Sequence, residues 1–293
     1  LAELAVNKER NMRRAMEQMR HGLRAHKPKM PMGRCDVCDE VKVVPNMARQ
    51  PEVGVKADEV KMCTDLIELR EADINGDKYV VTMTTQHGIK SARGCKDKKA
   101  KTLSKAVLSL MQDVQALYPH GISAVMSFHS DMEGRLISGV KQELQGTSIK
   151  VSNTEGHDSK GNSKAERTNR KARESQRGLI LGAVGRRKLY SELSGEAITH
   201  GLYVDNFIPE AGENTPYVRA GNPDVNVEEI VSIFGSECWV YESEPRRDGK
   251  GDTPNRRGMY LGESREIPYG KKIAFIDYNE HTQMWIISGT QHR

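Results

Sequence analysis

A mixed α/β layer fold, with a small helical module ahead of it and a β-rich region behind it, follows from three observations. Between residues 55 and 210, alternating apolar stretches come first and then alternate with segments of helical periodicity, as strands and helices stacked in layers require. Within residues 1–50, two pairs of metal-binding side chains follow a short amphipathic segment. Across residues 211–293, short apolar runs recur between turn residues.

The totals set bounds. At 293 residues the chain has room for one large domain or two to three small ones, and its 37% hydrophobic content gives a modest core under a wide polar surface. A net charge of +5 permits a nucleic-acid partner without requiring one. The cysteines (Cys35, Cys38, Cys63, Cys95 and Cys238) are odd in number with one close pair. That is not a disulfide framework, and a reducing compartment is expected. No run of about 18 apolar residues is present to cross a membrane as a helix. Without an initiator Met or a signal-peptide pattern, the chain is expected to be a piece of a longer polyprotein.

Residues 1–23 place Met12, Met16, Met19 and Leu23 at helical spacing. His21, His26, Cys35 and Cys38 follow as H-x4-H-x8-C-x2-C. Imidazole and thiolate are the ligands Zn²⁺ prefers, and four of them complete a tetrahedral structural site that would fold a region with little core of its own. The ordinary alternative is two surface histidines beside two free thiols.

After a connector over 39–54, Val60 to Leu69 reads as a strand carrying Asp65, and Lys78 to Thr85 as a second. Asn75-Gly76 between them is the pair favoured in type I′ hairpin turns. A third short strand is expected around Ile89–Arg93. Ala100, Leu103, Val107, Leu110, Met111, Val114 and Leu117 form one apolar helical face, stopped at Tyr118-Pro119-His120-Gly121. A strand over Ile122–Asp131, a helix over Ser138–Leu144 and a strand over Ile149–Asn153 come next, then a basic helix bearing Glu166. A further helix around Arg187–Phe207 would bury Leu189, Leu193, Ile198 and Leu202. Beyond Pro209, the runs Cys238–Glu242, Gly258–Glu263, Lys272–Tyr278 and Met284–Ser288 predict a small antiparallel sheet or barrel, with Trp239 and Trp285 in its core.

Two features carry chemistry. From Lys160 to Arg177, the cations Lys160, Lys164, Arg167, Arg170, Lys171, Arg173 and Arg177 face only Glu166 and Glu174, a pattern that suits a phosphate backbone. A solvated basic helix is the ordinary alternative. Asp65 and Asp131 lie in or at the ends of strands, and Glu166 lies near a helix start. Carboxylates gathered from such places repel one another and call for divalent cations. Two Mg²⁺ or Mn²⁺ ions could then assist in-line phosphoryl displacement. Against this, the chain has 40 acids, and an arbitrary trio of them means nothing.

The motifs together resemble a Ty1/copia-type retrotransposon integrase, of the D,D-35-E polynucleotidyl transferase group with an RNase H-like core. The residues that carry the resemblance are His21, His26, Cys35 and Cys38, TDLIE around Asp65, HSDMEG around Asp131, and TEGHDSKGNSKAERTNR around Glu166, which lies 35 positions after Asp131. NTPY (Asn214 to Tyr217), IFGSECWVY (Ile233 to Tyr241) and RRGMYLGE (Arg256 to Glu263) extend it. The resemblance implies a zinc-binding module over 1–50, an RNase H-like mixed sheet with flanking helices over 55–210 and a small β-rich, SH3-like basic domain over 211–293. It implies Asp65, Asp131 and Glu166 as the metal-binding catalytic triad, with Lys160, Lys164, Arg167, Arg170, Lys171 and Arg173 along the DNA. The implied activity is 3′-end processing and strand transfer on double-stranded DNA by a homo-oligomer. The implied location is the nucleus, or a cytoplasmic virus-like particle before import.

Departures from the family pattern are local. Met132-Glu133-Gly134-Arg135-Leu136 stands where copia elements read close to NGGEF, and Asn162-Ser163 stands where Asn-Gly is usual. The His26-to-Cys35 gap is short, and Thr82 to His87 lacks the Asp common in that strand region. They leave open a catalytically degenerate, DNA-binding or structural descendant, and a nuclease that cuts without joining.

Overall fold

The computed structural model describes residues 60–118, 126–130, 134–143, 145, 150–153, 163–184, 192–209, 213–225, 232–241, 255–267, 270–279 and 284–292. The expected zinc ligands His21, His26, Cys35 and Cys38, the acid Asp131 and the cation Lys160 lie outside the described residues.

Five strands form a mixed sheet in the order β3-β2-β1-β4-β5: β1 (Val60–Glu68), β2 (Tyr79–Thr85), β3 (Lys90–Cys95), β4 (Met126–Ser130) and β5 (Lys150–Asn153). β1 pairs antiparallel with β2 and parallel with β4, and β4 pairs parallel with β5. The central strand is covered on both faces, so it reads as a nearly continuous buried run rather than a clean alternation. Helix α1 (Ala100–Ala116) lies on one face and presents Leu103, Val107, Leu110, Met111 and Val114 at helical spacing to Met62, Val81, Met83 and Ile89. Leu110 is fully buried there. Truncating such a leucine to alanine costs about 2–5 kcal/mol, because the lost transfer energy is joined by a cavity. Helix α2 (Gly134–Glu143) packs beside α1.

The opposite face carries α3 (Ser163–Val184) and α4 (Ser194–Asp205), which cover Ile67, Leu69, Val80 and Ala92 with Ala172, Ile198 and Leu202. The two helices approach closely where Gly201 meets Ser175; a Cβ on Gly201 would lie 2.6 Å from the serine Cβ. At the edge of the sheet, the buried amide of Asn206 copies a peptide group. Its Oδ1 accepts from Lys90 N at 2.7 Å, and its Nδ2 donates to Lys90 O at 2.8 Å.

After the short helix α5 (Pro216–Arg219), β6 (Glu237–Tyr241), β7 (Asn255–Glu263), β8 (Lys271–Asn279) and β9 (Met284–His292) form an antiparallel sheet in sequence order. It packs against the first unit: Ile180, Leu193 and Ala197 share one cluster with Phe234, Met259, Leu261 and Ala274.

Two local expectations change, and one element gains a boundary the sequence left open. The Asn75-Gly76 pair does take a left-handed turn, with Gly76 at φ 78°, but inside a longer connection than a two-residue hairpin. The carboxylate of Asp73 accepts from the backbone N–H groups of Asn75 and Asp77, drawing that segment away from the strand ladder. The basic helix is longer than its cationic run. It runs through Gly178 to Val184, because Leu179, Ile180 and Ala183 have the second sheet to pack against, which offsets the helix penalty of glycine. Trp239 is not core: it is 67% exposed on β6 beside Tyr241, at 63%. These two share one side of the strand, while Val240 supplies the buried side.

Candidate active site

Asp65 sits in the middle of β1. Thr82 of β2 is its direct cross-strand partner. On the other side, Thr64 pairs with Ser130, the last residue of β4. These are the residues that immediately precede Asp65 and Asp131 in sequence, so the parallel register aligns the two strands at the points where the two expected acids follow.

Helix α3 brings the third element. Its inward face is built from small or polar side chains, Ala165, Thr168, Ala172 and Gln176, all buried. Small residues let a helix axis approach a sheet, and this one comes close enough for a short amide to bridge the gap. Asn169 donates from Nδ2 to Asp65 Oδ2 at 2.5 Å, and its Oδ1 accepts from the Thr82 hydroxyl at 2.6 Å. The other Asp65 oxygen accepts from Leu66 N at 2.7 Å. Strand, helix and neighbouring strand are thereby pinned by one side-chain chain, Thr82 to Asn169 to Asp65. Neither Asn169 nor Thr82 is conspicuous in the sequence. The signal was an uncharged amide three residues after Glu166 within a run of cations, and three residues is the spacing that makes helix neighbours.

Glu166 occupies the first turn of α3 and is exposed. At a helix N-terminus a carboxylate also complements the macrodipole, which by itself is an adequate structural reason for an acid there. Arg170, Arg173 and Arg177 follow at four, seven and eleven positions, so all four residues share one exposed stripe. Arg173 Nη2 donates to Glu68 O at 3.3 Å, anchoring the stripe to the end of β1. Arg167 is exposed on the next row, with its Nε donating to Ser163 O at 3.2 Å. Lys171 turns toward α4 and lies 3.5 Å from Asp205, which also holds the buried Lys90 at 2.5 Å. Lys171 is thus more tied to structure than its exposed neighbours. Lys164 lies near His87; burial first, and the Arg219 and Lys164 cations second, hold that imidazole below its ordinary value.

Among the described residues, no three His, Cys, Asp or Glu side chains are gathered as a metal-binding group. The described portion of the expected triad is therefore Asp65, held by Asn169, and Glu166, one helical step from that asparagine.

No protein-family model matches the chain, and no curated protein matches it. Among solved structures, it is similar to a chain in the simian T-cell lymphotropic virus intasome in complex with PP2A regulatory subunit B56 gamma, at 12% identity and a TM-score of 0.46, covering 88% of this chain and 87% of that one. It is also similar to the catalytic core domain of BIV integrase, at 16% identity and a TM-score of 0.37, covering 54% of this chain and 91% of that one. Neither likeness assigns the chain to a family.

Proposed function

We propose that the chain is an integrase of the Ty1/copia retrotransposon type, which trims element DNA ends and joins them to target DNA. The observation that carries this reading is the Asp65–Asn169 bond, which ties the acid of the central strand to the helix bearing both Glu166 and the arginine stripe. The Thr64–Ser130 pairing supports it from the other side, since Asp131 is the next residue of the chain.

Asp65, Asp131 and Glu166 would hold Mg²⁺ or Mn²⁺. The donor chemistry fits: carboxylate oxygens are the ligands such hard cations take, and Asp65 lies among N–H donors, the surroundings of an anion. When bound, the ions supply activation of the attacking oxygen and stabilisation of the leaving one. The chain's own contribution is positioning. Asn169 fixes the rotamer of Asp65, and Arg170 and Arg173 offer cationic contacts to the DNA backbone beside it. His21, His26, Cys35 and Cys38 would hold Zn²⁺ as a structural site in the preceding module. Double-stranded DNA and further copies of the chain are the partners this activity needs, and the nucleus is where it would act.

The test is a strand-transfer assay with a labelled duplex end in Mn²⁺, using the wild type, Asp65→Asn and Glu166→Gln. The expected result is joined products from the wild type only. Cleaved but unjoined DNA would favour a nuclease instead. DNA binding with no product from any form would favour the degenerate descendant, to which the altered Met132–Leu136 segment points.

A further inference from the structure

A second cationic feature lies on the other face of the five-stranded sheet, between β3 and the start of α1. A cavity of about 290 Å³ opens there, lined among others by Arg93 and Cys95 of the strand and by Lys101, Thr102, Lys105 and Ser109 of the helix. Its volume sits at the small end of ligand-sized clefts.

The charges around it are one-sided. Lys101 and Lys105 are exposed and make no hydrogen bond or ion pair among the described residues. They stand in the first turns of a 17-residue helix, with Lys99 at its N-cap and no acid in the first turn. That end of a helix carries partial positive charge, and cations placed there are destabilising. The nearby carboxylates have other partners: Asp97 is engaged by Lys99 at 3.3 Å and by the Thr102 hydroxyl, which holds its carboxyl below the ordinary range, Asp113 pairs with Arg265 at 3.2 Å, and Asp77, against Gly94, belongs to the cluster with Asp73 and Glu196. Arg93 is fixed in the wall by donating to the Ser109 hydroxyl. Cys95 offers only a neutral surface, since burial pushes its thiol up to about 12. Cations gathered beside a helix N-terminus around a concavity are further stabilised when an anion enters.

We propose that this cavity is a phosphate-binding site, separate from the site at Asp65 and not dependent on the activity proposed for it. α1 covers the sheet face opposite α3, so an anion held here is not one held by the arginine stripe. Phosphoryl oxygens are the shared chemistry, and they could belong to a free polyphosphate or to a second segment of DNA backbone.

The experiment uses the full chain in metal-free buffer, titrated with tripolyphosphate by calorimetry and with a labelled duplex by anisotropy between about 50 and 200 mM salt. Lys101→Ala/Lys105→Ala is compared with wild type and with Arg170→Ala/Arg173→Ala; both lysines are exposed, so their loss leaves the core intact. The expected result is that the lysine variant binds tripolyphosphate about tenfold more weakly or worse, while the arginine variant binds it as the wild type does. Loss confined to tripolyphosphate identifies a free polyphosphate as the ligand. A duplex affinity that also falls, or falls alone, with the salt slope reduced by about two, identifies DNA backbone. A lysine variant that binds both probes as the wild type does would overturn the proposal. So would a wild type that binds neither, or tripolyphosphate binding abolished by the arginine substitutions instead.

Discussion

Asn169 holds Asp65: its amide nitrogen donates to the carboxylate at 2.5 Å while its oxygen accepts from Thr82. Because the Thr82 hydroxyl fixes which way the amide faces, Asp65 receives an N–H rather than a repelling oxygen. Under the proposed function Asp65 would hold a metal ion, and a residue that orients such a carboxylate typically contributes about 10–100-fold to affinity or activity. Asn169→Ala is therefore expected to lower strand transfer by that range and to weaken Mn²⁺ binding measured by calorimetry. Thr82→Val should do the same more mildly. Activity and Mn²⁺ affinity unchanged in both variants would remove Asn169 from the site.

The second sheet is joined to helix α4 by a nearly buried ion pair. Lys272 of β8 lies 2.5 Å from Glu196 of α4, with side chains 16% and 10% exposed, and Asn75 donates to the same carboxylate. Removing one partner strands the other in a poorly solvated place, a loss of about 3–5 kcal/mol. Lys272→Met should show it in urea unfolding, and adding Glu196→Gln should recover part. An unchanged midpoint in the single variant would mean that the pair is solvated and weak.

Acid should loosen the same junction through His200. The ring is buried against Phe234 and Tyr260, and its Nδ1 has no hydrogen-bond partner among the described residues. Burial, with the Lys271 cation second, presses its pKa from 6.5 to about 4. Between those values the unfolded chain carries the proton and the folded chain does not. Stability is therefore lost as pH falls from about 6.5 to about 4, by on the order of 3 kcal/mol at the bottom of the window. His200→Leu should remove that loss in unfolding curves taken at successive pH values.

Asp77 works in the opposite sense. Burial first, then the charges of Asp73 and Glu196, raise its carboxyl from 3.8 to about 6. The folded state thus holds a proton the unfolded state has released. The stabilisation this gives is full below about 3.8 and is lost as pH rises through about 6. Asp77→Asn should raise the unfolding midpoint at pH 7 and leave it nearly unchanged at pH 4, a contrast that a packing effect would not produce.

Trp239 offers a check on exposure. At 67% exposed it should tolerate Trp239→Ala with a change within about 0.5 kcal/mol, as surface positions do. A buried tryptophan would cost about 3–5 kcal/mol. A loss of that size would put Trp239 in a core after all.

The pattern of local elements was legible because it rests on short-range periodicity. The helix over Ala100–Ala116, the strands around Asp65 and the four C-terminal strands all announce themselves through residues within a few positions of one another. What the sequence left open or misplaced was decided by distant partners. Helix α3 continues past Gly178 because a sheet some 80 residues away in sequence receives Ile180. Trp239 is outside because Val240, not its neighbour, faces that sheet's interior.

The candidate site divides in the same way. The sequence nominates Asp65, Asp131 and Glu166 and the cations beside them, from their places on strands and a helix and from a family resemblance. It could not reveal that Asn169 would close on Asp65 and Thr82, because those separations of 104 and 87 residues along the chain are bridged only when α3 lies down on β1 and β2. Nor could it reveal that Arg93 and Lys101 would share a cavity on the far face. Periodicity is a property of neighbours in the chain. Which faces meet is decided by how the whole chain buries its apolar surface, and the tertiary structure alone records that.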